Sequence, residues 1–121
     1  IAQRGAALAC RIYAEDPAKN FMPSPGTMAR LALPAGPGVR LETGVAEGVQ
    51  VSVHYDPLLA KVVTRGDTRE EAIARMRAAL DGFVVEGVRT VIPFHQRVLA
   101  SAAFRAGRVH TQMVEQGGFD A

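Results

Sequence analysis

A permanent cation stands in the middle of an apolar run. In "AALACRIYAE", residues 6 to 15, Arg11 lies between Cys10 and Ile12. A guanidinium stays ionised at any ordinary pH, so its partial burial calls for an acidic partner. Asp56, in "HYDP" at the junction of two expected strands, is a candidate. The residues alone leave two readings open. In one, an Arg–Asp pair orders a sheet. In the other, Arg11 presents its donors to an anion or to developing negative charge, with the carboxylate orienting it. Arg40, after "GPGV" at the start of a strand, is a third notable charge. Lys61, flanked by Ala60 and Val62 in an apolar strand, reads as a snorkelling lysine rather than as a carrier lysine, which would occupy an exposed hairpin tip.

Other chemistry is sparse. His54, His95 and His110 are far apart, lack metal-ligand spacing and read as ordinary surface or cap residues. No phosphate-cradling GxxxxGK[ST], no GxGxxG and no nucleophile elbow occurs. Cys10 has no obvious activating base and reads as a buried small hydrophobe. With one cysteine no internal disulfide forms, so a reducing, cytoplasmic setting is expected. The net charge of +2 comes from dispersed basic residues with no aromatic ladder, which argues against nucleic acid. No apolar run approaches the roughly 20 residues of a membrane span. The chain opens on Ile1 rather than Met and reads as a piece of something longer or a processed product. As a freestanding enzyme it looks empty.

The elements that must position Arg11 follow from periodicity. Residues 6 to 15 alternate, with Leu8, Cys10, Ile12 and Ala14 on one face and Arg11 on the other. Asp16-Pro17 ends that strand. The loop "AKNFMPSPG" is held extended by Pro23 and Pro25, with Phe21 and Met22 expected to pin it to the body. Further strands are expected at about 27 to 33, 39 to 45, within "EGVQVSVHYDP" with Val49, Val51 and Val53 alternating, and over "LLAKVVTRG". The period then changes. "DTREEAIARMRAALDGF" reads as a helix with a capping box of Thr68 and Glu71, each side chain reaching the other's backbone N–H. Ala72, Ile73, Met76, Leu80 and Phe83 share its apolar face. A short strand or extended link and a second helix over 94 to 103, led by Pro93, complete the body. The expected class is α+β, an antiparallel sheet with helices packed on one side.

Several segments together, "CRIYAEDPAKNFMPSPG", "GPGVR", "YDPLLAKVVTRGDTREEAIARMRAAL" and "VEGVRTVIPFHQRVL", resemble the C-terminal domain of biotin carboxylase. The resemblance runs from about Gly5 to Glu115. It implies residues 1–5 as the end of a linker from a missing ATP-grasp domain, 6–115 as the C-terminal domain, and 116–121 as a disordered tail. It also implies the reaction in which ATP and bicarbonate give carboxyphosphate and the carboxyl group passes to N1′ of biotin on a carrier. Biotin, ATP and Mg2+ are the implied cofactors, ATP and metal being held mainly by the ATP-grasp domain. The implied partners are that domain, a biotin carboxyl carrier domain, a carboxyltransferase component and a second copy of the chain.

Residue by residue, Arg11 matches the family arginine that faces the biotin ureido group and stabilises the enolate formed as N1′ loses its proton. Asp56 matches the aspartate of "YYD" that supports this arginine; here the motif reads "HYD", with His54 in place of one ring. Arg40 matches a dimer-interface arginine, although Pro37 stands where the family often has an aromatic. Thr111 takes a position near the adenine pocket, commonly apolar in the family. "SVHYDPLLAKVV" is nearer to the propionyl- and methylcrotonyl-CoA type of carboxylase. Alone, the domain is expected to be inactive. The other reading is a non-catalytic interaction module with the same sheet.

Overall fold

The computed structural model describes residues 2–52, 54 and 57–119. Its centre is a three-stranded antiparallel sheet. Strand β1 (Ala6–Tyr13) pairs with the long β8 (Leu58–Gly66), which pairs on its other side with β6 (Val39–Thr43). The register Leu8–Thr64–Val39, Cys10–Val62–Leu41 and Ile12–Ala60–Thr43 puts one row of small and apolar residues on the inner face. Strand alternation therefore sets Arg11, Lys61, Val63, Arg40 and Glu42 on the outer face.

Helix α1 (Arg69–Asp81) covers the inner face, packing on β8 and β1. Ile73, Met76, Ala79 and Leu80 meet Cys10, Ile12, Ala60 and Val62, and the second helix α2 (Ile92–Ala100) adds Ile92 and Leu99 to the same core. Met76 is completely buried, a contribution of about 1.5–3 kcal/mol relative to exposure. Thr64 is a polar member of this layer that is fully buried, and its hydroxyl donates to the carbonyl of Ala72 at 2.8 Å. Gly66 lets strand and helix meet, because a Cβ there would lie 2.7 Å from the Ala72 nitrogen.

The cap of α1 differs in detail from the expected box. Thr68 Oγ1 accepts from the Glu71 N–H at 3.2 Å, as expected. The Glu71 carboxylate passes Thr68 and accepts instead from the Asp67 N–H at 3.1 Å, while its other oxygen pairs with Arg75 at 2.7 Å. Arg75 is partly buried and donates to the Arg65 carbonyl at the end of β8.

Short pairings surround this body. Strand β2 (Glu15–Asp16) pairs with β3 (Met22–Pro23), β4 (Gly26–Thr27) with β7 (Gln50–Val51), and β5 (Arg30–Ala32) with β9 (Val84–Glu86). The strand expected over 27 to 33 is thus broken. The chain changes partner at Met28 and Ala29, whose N–H groups donate to Val49 and Glu86. Gly87, with φ +106°, permits the crossing, since any Cβ there would collide with the Thr27 carbonyl. Ala14, Met28, Val51 and Leu59 form a second cluster beneath these pairings. Val49 is 41% exposed, so the expected alternation does not bury it; Val53 lies outside the described residues.

The loop after β2 is pinned by Phe21, which packs edge-on to Phe94 with ring centroids 5.1 Å apart. Met22 does not help; it is 60% exposed. Asn20 and Phe21 both carry positive φ, an uncommon conformation for side-chain-bearing residues that turns the ring inward. The helix expected over 94 to 103 starts earlier and breaks at Ser101, which takes an extended conformation and caps a further turn, α3 (Ala102–Arg105), by accepting from the Phe104 N–H at 3.2 Å. Residues 111 to 119 form turns, and Phe119 is buried against Phe94. Among the described residues no helix is long and apolar enough to cross a membrane.

Candidate functional site: the outer face of the sheet

Arg11 is rooted at the middle of β1, directly opposite Lys61 on β8, which in turn lies opposite Glu42 on β6. Like charges placed directly across a sheet are unfavourable. Water screens the pair here, because Arg11 is exposed and Lys61 is only partly covered. Among the described residues the Arg11 guanidinium makes no hydrogen bond and no ion pair. The partial burial expected from the apolar run is therefore not found. The flanking apolar residues point inward, and the arginine points out.

Its backbone is held on both edges. One edge of β1 is paired to β8. On the other, the Arg11 carbonyl lies 2.8 Å from His95 Nε2, and the Tyr13 carbonyl accepts from the Val91 N–H at 3.2 Å. Val91 and His95 are one turn apart at the start of α2, so the helix clips the strand at two alternate carbonyls. A carbonyl only accepts, so Nε2 carries the proton in this contact and Nδ1 is the bare nitrogen of the neutral ring. Burial lowers the His95 pKa below 6.5, an effect the bond to Arg11 partly opposes. This residue was expected to be an ordinary surface or cap histidine. Only its position one turn into a helix is visible locally; its partner is 84 residues away.

The remaining expected site residues are placed as follows. Asp56 lies outside the described residues. The neighbouring His54 is exposed in a turn, and its N–H donates to Ser52 Oγ at 3.1 Å. Arg40 shares the outer face with Arg11 but in the next row, opposite Val63 and, beyond it, Ala9. It pairs with Glu42 at 3.0 Å, and both side chains are more than half exposed, so the pair adds little stability. Thr111 is exposed in the turns after α3, and among the described residues no hydrogen bond joins it to the sheet. Cys10 is buried on the inner face beside the core, where desolvation pushes its thiol up to about 11. Among the described residues no group of three or more His, Cys, Asp or Glu side chains converges to hold a metal ion.

The fold is thus a helix-backed antiparallel sheet with Arg11 exposed on its outer face and, among the described residues, without a hydrogen-bond or ion-pair partner for its guanidinium. Comparison with known proteins identifies the class: the chain belongs to the family described as biotin carboxylase C-terminal domain, whose model matches residues 9–116. It is 48% identical over 111 residues to biotin carboxylase 1 of Bacillus subtilis (strain 168), covering 92% of this chain and 25% of that protein. It is 46% identical over 115 residues to the biotin-dependent acyl-coenzyme A carboxylase alpha3 subunit of Mycobacterium leprae, covering 92% of this chain and 19% of that protein. Among solved structures, the biotin carboxylase domain dimer of Hydrogenobacter thermophilus 2-oxoglutarate carboxylase, in complex with MgADP, ADP and bicarbonate, superposes with a TM-score of 0.94 at 37% identity, covering 100% of this chain and 27% of that one. The chain thus spans about a quarter or less of the length of these relatives. The expected α+β class and the family resemblance both hold.

Proposed function

We propose that this chain is the biotin-facing domain of an ATP- and bicarbonate-dependent biotin carboxylase, inactive when separated from the ATP-grasp domain. The observation that carries this reading is Arg11: an exposed cation, uncommitted among the described residues, on a strand bonded along both edges. Bound biotin supplies the ureido nitrogen that receives the carboxyl group. Arg11 contributes a fixed, always-charged fork of donors where negative charge grows on the ureido oxygen. Because its strand is held before the reaction begins, little reorganisation accompanies charge development. Lys61, directly opposite, adds positive potential to the same row. Asp56 is assigned the support of Arg11, Arg40 a contact between two copies of the domain, and Thr111 the edge of the adenine pocket. ATP and Mg2+ are assigned to the ATP-grasp domain. The carrier domain and the carboxyltransferase component are the further partners.

The test is Arg11→Gln in the full-length protein. Losing one such donor typically removes about 2.7–4 kcal/mol of transition-state stabilisation, so biotin carboxylation should fall by about 100- to 1000-fold. Bicarbonate-dependent ATP cleavage without biotin should stay within about threefold of wild type, a barrier change under about 1 kcal/mol. Equal loss of both activities refutes the role.

A further inference from the structure

We propose that His95 is a positioning residue for Arg11, clamping the free edge of β1 so that the guanidinium starts from a fixed backbone. The inference rests on the role proposed for Arg11 and adds a residue to it. Edge strands expose unpaired carbonyls and are the mobile margin of a sheet unless something covers them. β1 is such an edge, since the sheet order is β1-β8-β6. The cover is the first turn of α2. Its backbone supplies one rung, Val91 N–H to Tyr13, and among the described residues its one side-chain rung is His95 Nε2 to Arg11, at the arginine's own carbonyl.

Among the described residues the Arg11 guanidinium has no hydrogen-bond or ion-pair partner to aim it. Its aim comes from the Cα–Cβ direction, which the peptide planes on either side determine. His95 fixes the plane that follows Arg11. Around it, Phe94 touches the imidazole at 6.0 Å between ring centroids and packs on Phe21 and Phe119, so the ring stands on an ordered apolar support. Glutamine can place an N–H near the position of imidazole Nε2; alanine and leucine cannot.

The experiment uses the full-length protein with His95→Ala, His95→Leu, His95→Gln, Arg11→Gln and the double variant Arg11→Gln/His95→Ala. Biotin-dependent carboxylation and biotin-independent ATP cleavage are both measured. His95→Ala and His95→Leu should each lower carboxylation about tenfold, the upper range for one net hydrogen bond, and leave ATP cleavage unchanged. His95→Gln should restore most of the loss, and His95→Ala should cost nothing further in the Arg11→Gln background. Independently of activity, the 15N spectrum of histidine-labelled protein at pH 7.5 should show His95 with its proton on Nε2. Equal loss of both activities, no rescue by glutamine, an undiminished penalty in the double variant, or a proton on Nδ1 overturns the proposal. If Arg11→Gln uncouples the two activities and the His95 variants do not, only the positioning role fails. If Arg11→Gln itself leaves carboxylation intact, both readings fall.

Discussion

Thr64 offers the sharpest test of how the sheet meets its helix. The hydroxyl is fully buried between Leu8 and Val39 and bonds the Ala72 carbonyl at 2.8 Å. Valine at this position keeps the shape but puts a methyl where a donor was. A methyl carbon does not settle 2.8 Å from a carbonyl oxygen; even weak C–H···O contacts lie at about 3.3–3.6 Å, so strand and helix must part by about half an ångström. The substitution therefore loses one net hydrogen bond, about 1 kcal/mol, and adds overpacking strain of at least about 1 kcal/mol. Ala72 retains its helical acceptor bond within α1, so no orphaned carbonyl adds to this. Serine keeps the hydroxyl and loses one buried methyl, about 1 kcal/mol. Thr64→Val should thus cost about 2 kcal/mol and Thr64→Ser about half that. At the usual unfolding entropy per residue, each kcal/mol lowers Tm by about 4 °C for a chain of this size. Thermal unfolding followed by circular dichroism on wild type and both variants measures the order. A valine variant as stable as wild type, or more stable than the serine one, refutes the claim that the hydroxyl–carbonyl bond fastens α1 to β8.

Two further outcomes follow from buried titratable groups. Cys10, with its thiol pushed up to about 11 by burial, should react with a disulfide reagent at pH 8 far more slowly in the folded chain than in urea; equal rates would place the thiol at the surface. His95 has its pKa lowered in the folded state, so the unfolded chain takes up its proton first as the solution is acidified. The stabilisation tied to the neutral ring is complete above pH 6.5 and is lost as pH falls through that value towards the lower folded-state pKa. His95→Gln should flatten this part of the stability profile between pH 7 and 5, and an unchanged slope would show that another group causes it.

Much of the scaffold was legible in local pattern. Alternation over residues 6 to 15 correctly assigned Cys10, Ile12 and Ala14 to the interior and Arg11 to the opposite face. Helical spacing identified Ile73, Met76 and Leu80 as the buried side of α1, and Thr68 as its cap. Both successes rest on the same physics: the periods of strand and helix are properties of the backbone, and a residue's face is decided within a few positions of itself. The errors fall where a local signal competes with a distant one. Residues 27 to 33 read as one strand but serve two partners, β7 and β9, because Gly87 lets the chains cross there. Ser101, a good cap residue inside a helical pattern, ends α2 and starts α3.

The candidate site divides in the same way. By itself the sequence carried the family resemblance in its motifs, and its residue types and short-range periodicity determined the fold class and the presence of a cation on the polar side of a core strand. Only the tertiary structure decided that Lys61 lies beside Arg11, that Arg40 occupies the next row of the same face, and that His95 reaches back across the chain to the Arg11 carbonyl. Those placements depend on strand register and helix docking. Register and docking are set by the summed packing of residues far apart in the chain, and no local window contains that sum.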